Sequence, residues 1–242
     1  MSKKSWFRFY LDAARFKKYR IDMLRRQLAS DPEGFGEVSY SQEGEDMLLR
    51  HFVDMKSPGA FVDIGAHHPV RFSNTYYFYL RGWRGLNIDA AKPAIDALHK
   101  LRPDDINFQC AVSDVNGEVE FIQMNEPGVS TCDESLAKRF ESEHGWKIIR
   151  RDIVKTRTLS SLLVEFWPHG KNIDFMNIDV EGFDLKVIKS NNWDKYRPQF
   201  LLIENLWESV TEVLESEQNK FLVDKGYSLL TRGCRTSIYK RN

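Results

Sequence analysis

The chain has 242 residues, with 35 Lys and Arg balanced by 35 Asp and Glu, so its formal charge is zero; this excludes a surface built throughout for nucleic acid. The hydrophobic fraction of 42% excludes wholesale disorder, and no run of 18 apolar residues is present to span a membrane as a helix. Cys110, Cys132 and Cys234 form no CxxC pair, which excludes a readable disulfide framework or zinc knuckle and favours a reducing, cytoplasmic home.

The zero is a sum of unequal parts. Residues 1–30 hold nine basic side chains against two acidic ones, a net of +7, so the remaining 212 residues carry −7. Residues 5–29 lack proline and glycine and read as an amphipathic helix, with Trp6, Tyr10, Ala14, Ile21, Leu24 and Leu28 on one side. Arg15, Lys17 and Lys18 interrupt any apolar stretch, so a cleavable secretory signal is not expected. The helix suits an anionic membrane surface at the inner membrane, a glycosyltransferase complex, or pairing in a homo-oligomer; packing on its own domain is the plain alternative. Proline and two glycines in 30–37 end it, which divides the chain into an arm over 1–37 and a domain over 38–242.

From residue 38 strands and helices alternate. Helices are expected at 44–55, 73–82 (Ser73 as N-cap, Gly82 at the end), 92–101, 159–166, 183–190 and 209–225. Strands are expected at 59–66, 85–89, 106–112, 117–124, 147–158, 173–180, 200–205, 227–232 and 236–240. This alternation predicts a mostly parallel sheet covered on both faces. The last two strands are three residues apart, too close for a parallel crossover, so they form an antiparallel hairpin.

Ligands of open α/β sheets bind beyond the carboxyl ends of the strands. The first strand ends in Asp63-Ile64-Gly65-Ala66-His67-His68, the second in Asp89, and Ser113-Asp114 follow the third. The next two core strands end in Asp179-Val180-Glu181-Gly182 and Glu204-Asn205. Gly65 permits a close backbone approach, and the N–H groups near Ser73, Asn74 and Thr75 can meet a carboxylate. Asp89 lies 26 residues past Asp63, near the spacing at which an acid meets ribose hydroxyls, which describes an adenosine-ligand site. Pro69 and Val70 occupy the loop where a G-x-G-x-x-G run would continue, which disfavours a nicotinamide or flavin cofactor. Asp179, Glu204 and Asn205 carry hard oxygens suited to Mg²⁺ or Mn²⁺, and Glu181, His67 or His68 can take a proton; the plain alternative is an acidic row that only caps strands.

The strings YSQEGEDMLL (40–49), FVDIGAHHPVRFSNT (61–75), GLNIDA (85–90), AVSD (111–114), TLSSLL (158–163) and IDFMNIDVEGFDLKVIKS (173–190) resemble the FkbM family of S-adenosylmethionine-dependent methyltransferases, polysaccharide-associated branch. The resemblance implies a Rossmann-like class I fold, with a seven-stranded sheet and a terminal antiparallel hairpin. It implies O-methylation of a hydroxyl on a sugar or polyketide, and the SQEGED and SNT strings favour a sugar or glycoconjugate acceptor; the charge balance argues for no nucleic-acid partner. By it, Asp63 and Gly65 shape the cofactor loop, Asp89 holds the ribose, Asp114 or its neighbours lie near the adenine, and Asp179-x-Glu181-Gly182 sits beside the transferred methyl. The lysine often found just before that signature is Asn177 here. The metal set is similar to that of catechol-type O-methyltransferases. A non-catalytic scaffold of the same fold is the rival reading.

Overall fold

The computed structural model describes residues 36–205 and 209–242. The arm helix expected over 5–29 lies outside the described residues. Among the described residues no helix is long and apolar enough to cross a membrane.

In chain order the elements are α1 (Glu45–Leu49), β1 (Ala60–Ile64), α2 (Tyr76–Tyr79), β2 (Arg84–Asp89), α3 (Lys92–Leu101), β3 (Ile106–Gln109), β4 (Ala111–Val112) and β5 (Gly117–Met124). A 3₁₀ turn at Pro127–Val129 precedes α4 (Glu134–His144), β6 (Ile148–Arg157), α5 (Leu159–Phe166), β7 (Phe175–Ile178), α6 (Asp184–Lys189) and β8 (Phe200–Glu204). The chain ends with α7 (Val210–Glu215), α8 (Glu217–Asp224), β9 (Tyr227–Arg232) and β10 (Thr236–Arg241). The main sheet has seven strands in the order β3-β2-β1-β7-β8-β10-β9. β10 runs antiparallel between β8 and β9, as the short hairpin loop requires.

Several expected elements are shorter or divided. The strand expected over 106–112 breaks at Cys110, whose N–H donates to the Asp89 carbonyl at 3.0 Å. Ala111–Val112 then pairs with β6 in a separate sheet, β4-β6-β5, that the sequence pattern did not announce. The helix expected at 73–82 spans only Tyr76–Tyr79, and the Thr75 hydroxyl just before it donates to Asp63 at 2.7 Å. The N-cap is therefore Thr75 and not Ser73 as expected, although Ser73 Oγ still accepts from the Tyr76 N–H at 3.1 Å. The helix expected at 209–225 is two helices, since Ser216 turns extended (ψ 153°) and its Oγ caps α8 through the Asn219 N–H. The helix expected at 44–55 ends at Leu49, where bonds to the third preceding residue tighten the chain into a turn.

Alternation along each strand builds two unlike faces. One face carries Val62, Ile64, Leu86, Ile88, Met176, Ile178, Leu201 and Ile203, covered by Leu159, Leu162 and Leu163 of α5 and Val187 and Ile188 of α6. The other changes character in steps toward the strand ends. Its lowest row is aromatic: Phe61 stacks on Phe175 with centroids 5.6 Å apart, and Phe200 continues the row. Gly85 stands opposite Phe61, where a Cβ would come within 2.3 Å of the ring. Two residues further along, the register aligns Asn107, Asn87, Asp63 and Asn177 in one polar row. Two residues further again, the same register brings Asp89, Gly65, Asp179 and Glu204 to the rim.

Candidate active site at the strand ends

The polar row is buried and nearly saturated with hydrogen bonds. Asp63 accepts from Asn177 Nδ2 at 2.9 Å and from Thr75 Oγ1 at 2.7 Å. Asn177 in turn accepts from Asn74 Nδ2 at 2.9 Å. Thr75 Oγ1 also accepts from Arg102 Nη1 at 2.9 Å, and Arg102 Nε donates to Asp105 at 2.8 Å. Asp105 further accepts from the Gly85 N–H and from Asn87 Nδ2. Arg102 is fully buried beneath the rings of Phe61 and Tyr79. An unpaired charge there would cost several kcal/mol, so the carboxylate of Asp105 beside it is a condition of folding. Burial raises the Asp63 pKa, and Arg102 acts in the opposite direction.

Gly65 (φ 80°) lies where a Cβ would stand 1.7 Å from the Asp179 carbonyl oxygen, so no other residue fits. The close approach expected at Gly65 is thus made first by the neighbouring strand. Asp89 accepts the His67 N–H at 2.8 Å and the Ala91 N–H at 2.7 Å, and burial raises its pKa to about 6. His68 ties the same loop: its Nδ1 accepts the N–H groups of Val70 and Arg71 at 3.0 and 2.8 Å. Burial and the charges of His67 and Arg71 lower its pKa to about 4.

A cavity of about 190 Å³ opens above the rim. Asp63, Gly65, Ser73, Asn74 and Asn177 line its floor, and His67 lines its wall. Asp179, Glu181 and Glu204 also line it, each presenting an oxygen within 4.8 Å of the others'. Glu181 takes a left-handed backbone (φ 50°), a strained conformation for glutamate costing about 1–3 kcal/mol. Its turn is held from two sides. Asp184 accepts the N–H groups of Val180 and Gly182, both at 3.2 Å, and Thr131 Oγ1 donates to the Glu181 carbonyl at 2.6 Å. Glu181 is 8% exposed and its Oε2 has no hydrogen-bond partner.

Burial raises the pKa of all three acids, and neighbouring carboxylates add to it: Asp184 at Asp179, Asp179 and Asp184 at Glu181, and Asp179 and Glu181 at Glu204. Arg235 on the cavity wall opposes the rise at Glu181.

Of the expected site residues, Thr75 lies behind the cavity and holds Asp63, while Asp89 lies half-buried beside it and holds the loop at His67. His68 lies outside the cavity, its Nδ1 engaged by the loop. Ser113 and Asp114 also lie outside it, with Ser113 Oγ donating to Asp114 at 3.0 Å. Asn205, expected as a metal ligand, is not on the lining: it follows Glu204 on the strand, so its side chain leaves on the other side. Glu181 stands in its place beside Asp179 and Glu204. Sequence reasoning missed Arg102, Arg71 and Arg235.

A model of the methyltransferase FkbM domain matches residues 63–229. No curated protein matches the chain. Among solved structures, a TehB-like SAM-dependent methyltransferase from Corynebacterium glutamicum is similar at 11% identity and TM-score 0.41, over 95% of this chain and 100% of that one. A putative caffeoyl-CoA O-methyltransferase from Staphylococcus aureus is similar at 11% identity and TM-score 0.42, over 97% of this chain and 98% of that one. The chain belongs to the FkbM methyltransferase domain family, and its chemistry is S-adenosylmethionine-dependent methyl transfer.

Proposed function

We propose that the acceptor is a sugar hydroxyl and that the transfer is an O-methylation in polysaccharide or glycoconjugate biosynthesis. The observation that carries this reading is the convergence of Asp179, Glu181 and Glu204 on one cavity, with Glu181 Oε2 buried and unpartnered. Three crowded carboxylates favour positive charge, and the sulfonium of S-adenosylmethionine brings one. They also favour a proton, which makes Glu181 a fit general base for a hydroxyl. As the acceptor oxygen attacks the methyl carbon, the O–C bond forms and the S–C bond breaks. The electron pair of that bond goes to sulfur, leaving neutral S-adenosylhomocysteine, and the hydroxyl proton goes to Glu181. Asp89 holds the ribose through the acceptor capacity that its two backbone bonds leave open. His67, whose pKa burial and the Arg71 charge lower, is the alternative proton acceptor on the same wall.

The same three acids fit a divalent ion. Their oxygens are hard donors, and Glu181 Oε2 is a buried acceptor lacking a partner. Asp179, Glu181 and Glu204 would hold Mg²⁺ or Mn²⁺, which would neutralise the row and lower the pKa of a nearby hydroxyl, with His67 then taking the proton in place of Glu181. Titration calorimetry with S-adenosylmethionine tests the cofactor, and absence of binding at millimolar ligand would favour the scaffold reading. Chelation by EDTA should abolish turnover and added Mg²⁺ or Mn²⁺ restore it; full turnover in excess EDTA removes the metal. The basic segment 1–30 is read as a docking arm, so its deletion should spare cofactor binding and abolish binding to anionic vesicles.

A further inference from the structure

The cavity has a second wall that the transfer chemistry does not use. It comes from the small sheet and α4. Gly145 (φ 70°) ends α4 and releases the chain, and Trp146 follows at once. The next residue is pinned: the Asn125 N–H donates to the Lys147 carbonyl at 2.9 Å, and the Lys147 N–H donates to Asn125 Oδ1 at 2.8 Å. Trp146 and Glu126 both stand on the cavity's lip. The indole is half-buried, braced by Phe140 in an edge-to-face contact with centroids 5.2 Å apart and by His144 at 4.8 Å. It nevertheless lines the cavity that holds the three acids.

Across the lip Arg71 Nη2 meets Glu126 Oε1 at 3.4 Å, and its guanidinium lies 4.5 Å from the centre of the Phe72 ring. That ion pair is largely exposed, so it contributes little to stability and yields readily to a ligand. Phe72 is held in a left-handed backbone (φ 56°), as is His67 (φ 47°), on the loop that faces this wall.

A braced indole next to planar charged groups with several donors and acceptors has a definite chemical complement. It matches a ring with an apolar C–H face and a periphery of hydroxyls. We propose that this lip is a pyranose subsite, in which Trp146 stacks on the face of the acceptor ring while Arg71 and Glu126 hold its hydroxyls. The proposal rests on the sugar-acceptor reading above and adds the residues that select for it. Trp146 is here a binding residue; the reacting oxygen lies deeper, at the acids.

The test uses the full chain, S-adenosylmethionine with a deuterated methyl, and the methyl pyranosides of glucose, galactose, mannose and rhamnose as probes. Product is read by mass, and probe binding by saturation-transfer NMR. For a methylated probe, Trp146→Ala should raise KM about tenfold and leave kcat within about twofold, with Trp146→Phe in between. The Kd for S-adenosylhomocysteine should not change in either variant. If Trp146→Ala loses S-adenosylhomocysteine binding, Trp146→Leu, which keeps the contact with Phe140 but has no ring, takes its place with the same expectation. An unchanged KM in the ringless variant overturns the subsite while leaving the sugar reading intact. If no pyranoside is bound or methylated although S-adenosylmethionine binds, the subsite and the sugar reading fall together, and the methyltransferase assignment stands.

Discussion

The two faces of the main sheet are made by the same strands and differ in what they do. On one, Val62, Ile64, Leu86, Ile88, Met176, Ile178, Leu201 and Ile203 form an unbroken apolar layer under α5 and α6. On the other, the register climbs from Phe61 and Phe175 through Asp63, Asn87, Asn107 and Asn177 to the acids at the rim. The first face supplies stability through area removed from water. The second gives up part of that gain, because every buried polar group must find a partner, and in return it fixes carboxylates at the edge of a cavity.

That contrast can be broken from either side. The largest effect is expected at Gly65, where the two strand ends touch. Gly65→Ala drives a methyl into the Asp179 carbonyl and should cost about 3 kcal/mol or more, with loss of S-adenosylhomocysteine binding in calorimetry. Ile178→Ala, on the apolar face, should cost about 2–5 kcal/mol in urea unfolding, while the folded protein binds S-adenosylhomocysteine as before. A large fall in affinity there would show that the faces are not separable.

Thr75→Val tests the polar row. It removes the donor to Asp63 and the acceptor for Arg102 with little change of shape, so about 1–3 kcal/mol of stability should go, together with several-fold in cofactor affinity. Thr75→Ser, which keeps the hydroxyl, should restore both; a Ser variant as weak as Val would point to packing instead. The smallest change is expected at Ser216→Ala, which uncaps α8 behind the apolar face. It should lower stability by about 1 kcal/mol and leave turnover untouched.

Much of this was legible in the sequence, for identifiable reasons. The alternation of strands and helices, the terminal hairpin, and the acids at the strand ends follow from periodicity and loop length. The polar row was legible too, had the strands been aligned: Val62-Asp63-Ile64, Leu86-Asn87-Ile88, Ile106-Asn107-Phe108 and Met176-Asn177-Ile178 each hold one polar side chain between apolar ones. Arg102 was hidden because an arginine at a helix end before proline reads as a solvated charge; its partner Asp105, three residues on, is the only local clue. Glu181 came to the acid cluster in place of Asn205 through a left-handed backbone that the residue type disfavours, and periodicity carries no trace of such a turn. The small sheet and Trp146 depend on pairings between distant segments, as between Gly117 and Thr156, which no local pattern encodes.

The most direct test of the central assignment is Glu181→Gln. The amide keeps the shape of the side chain and removes the base. The variant should bind S-adenosylhomocysteine, whose sulfur is neutral, with the Kd of the wild type, and its single-turnover rate of methyl transfer to the acceptor should fall by about 10²–10⁴-fold. Methyl transfer at the wild-type rate by a variant with an intact cofactor site would contradict the assignment of Glu181 as the group that takes the proton.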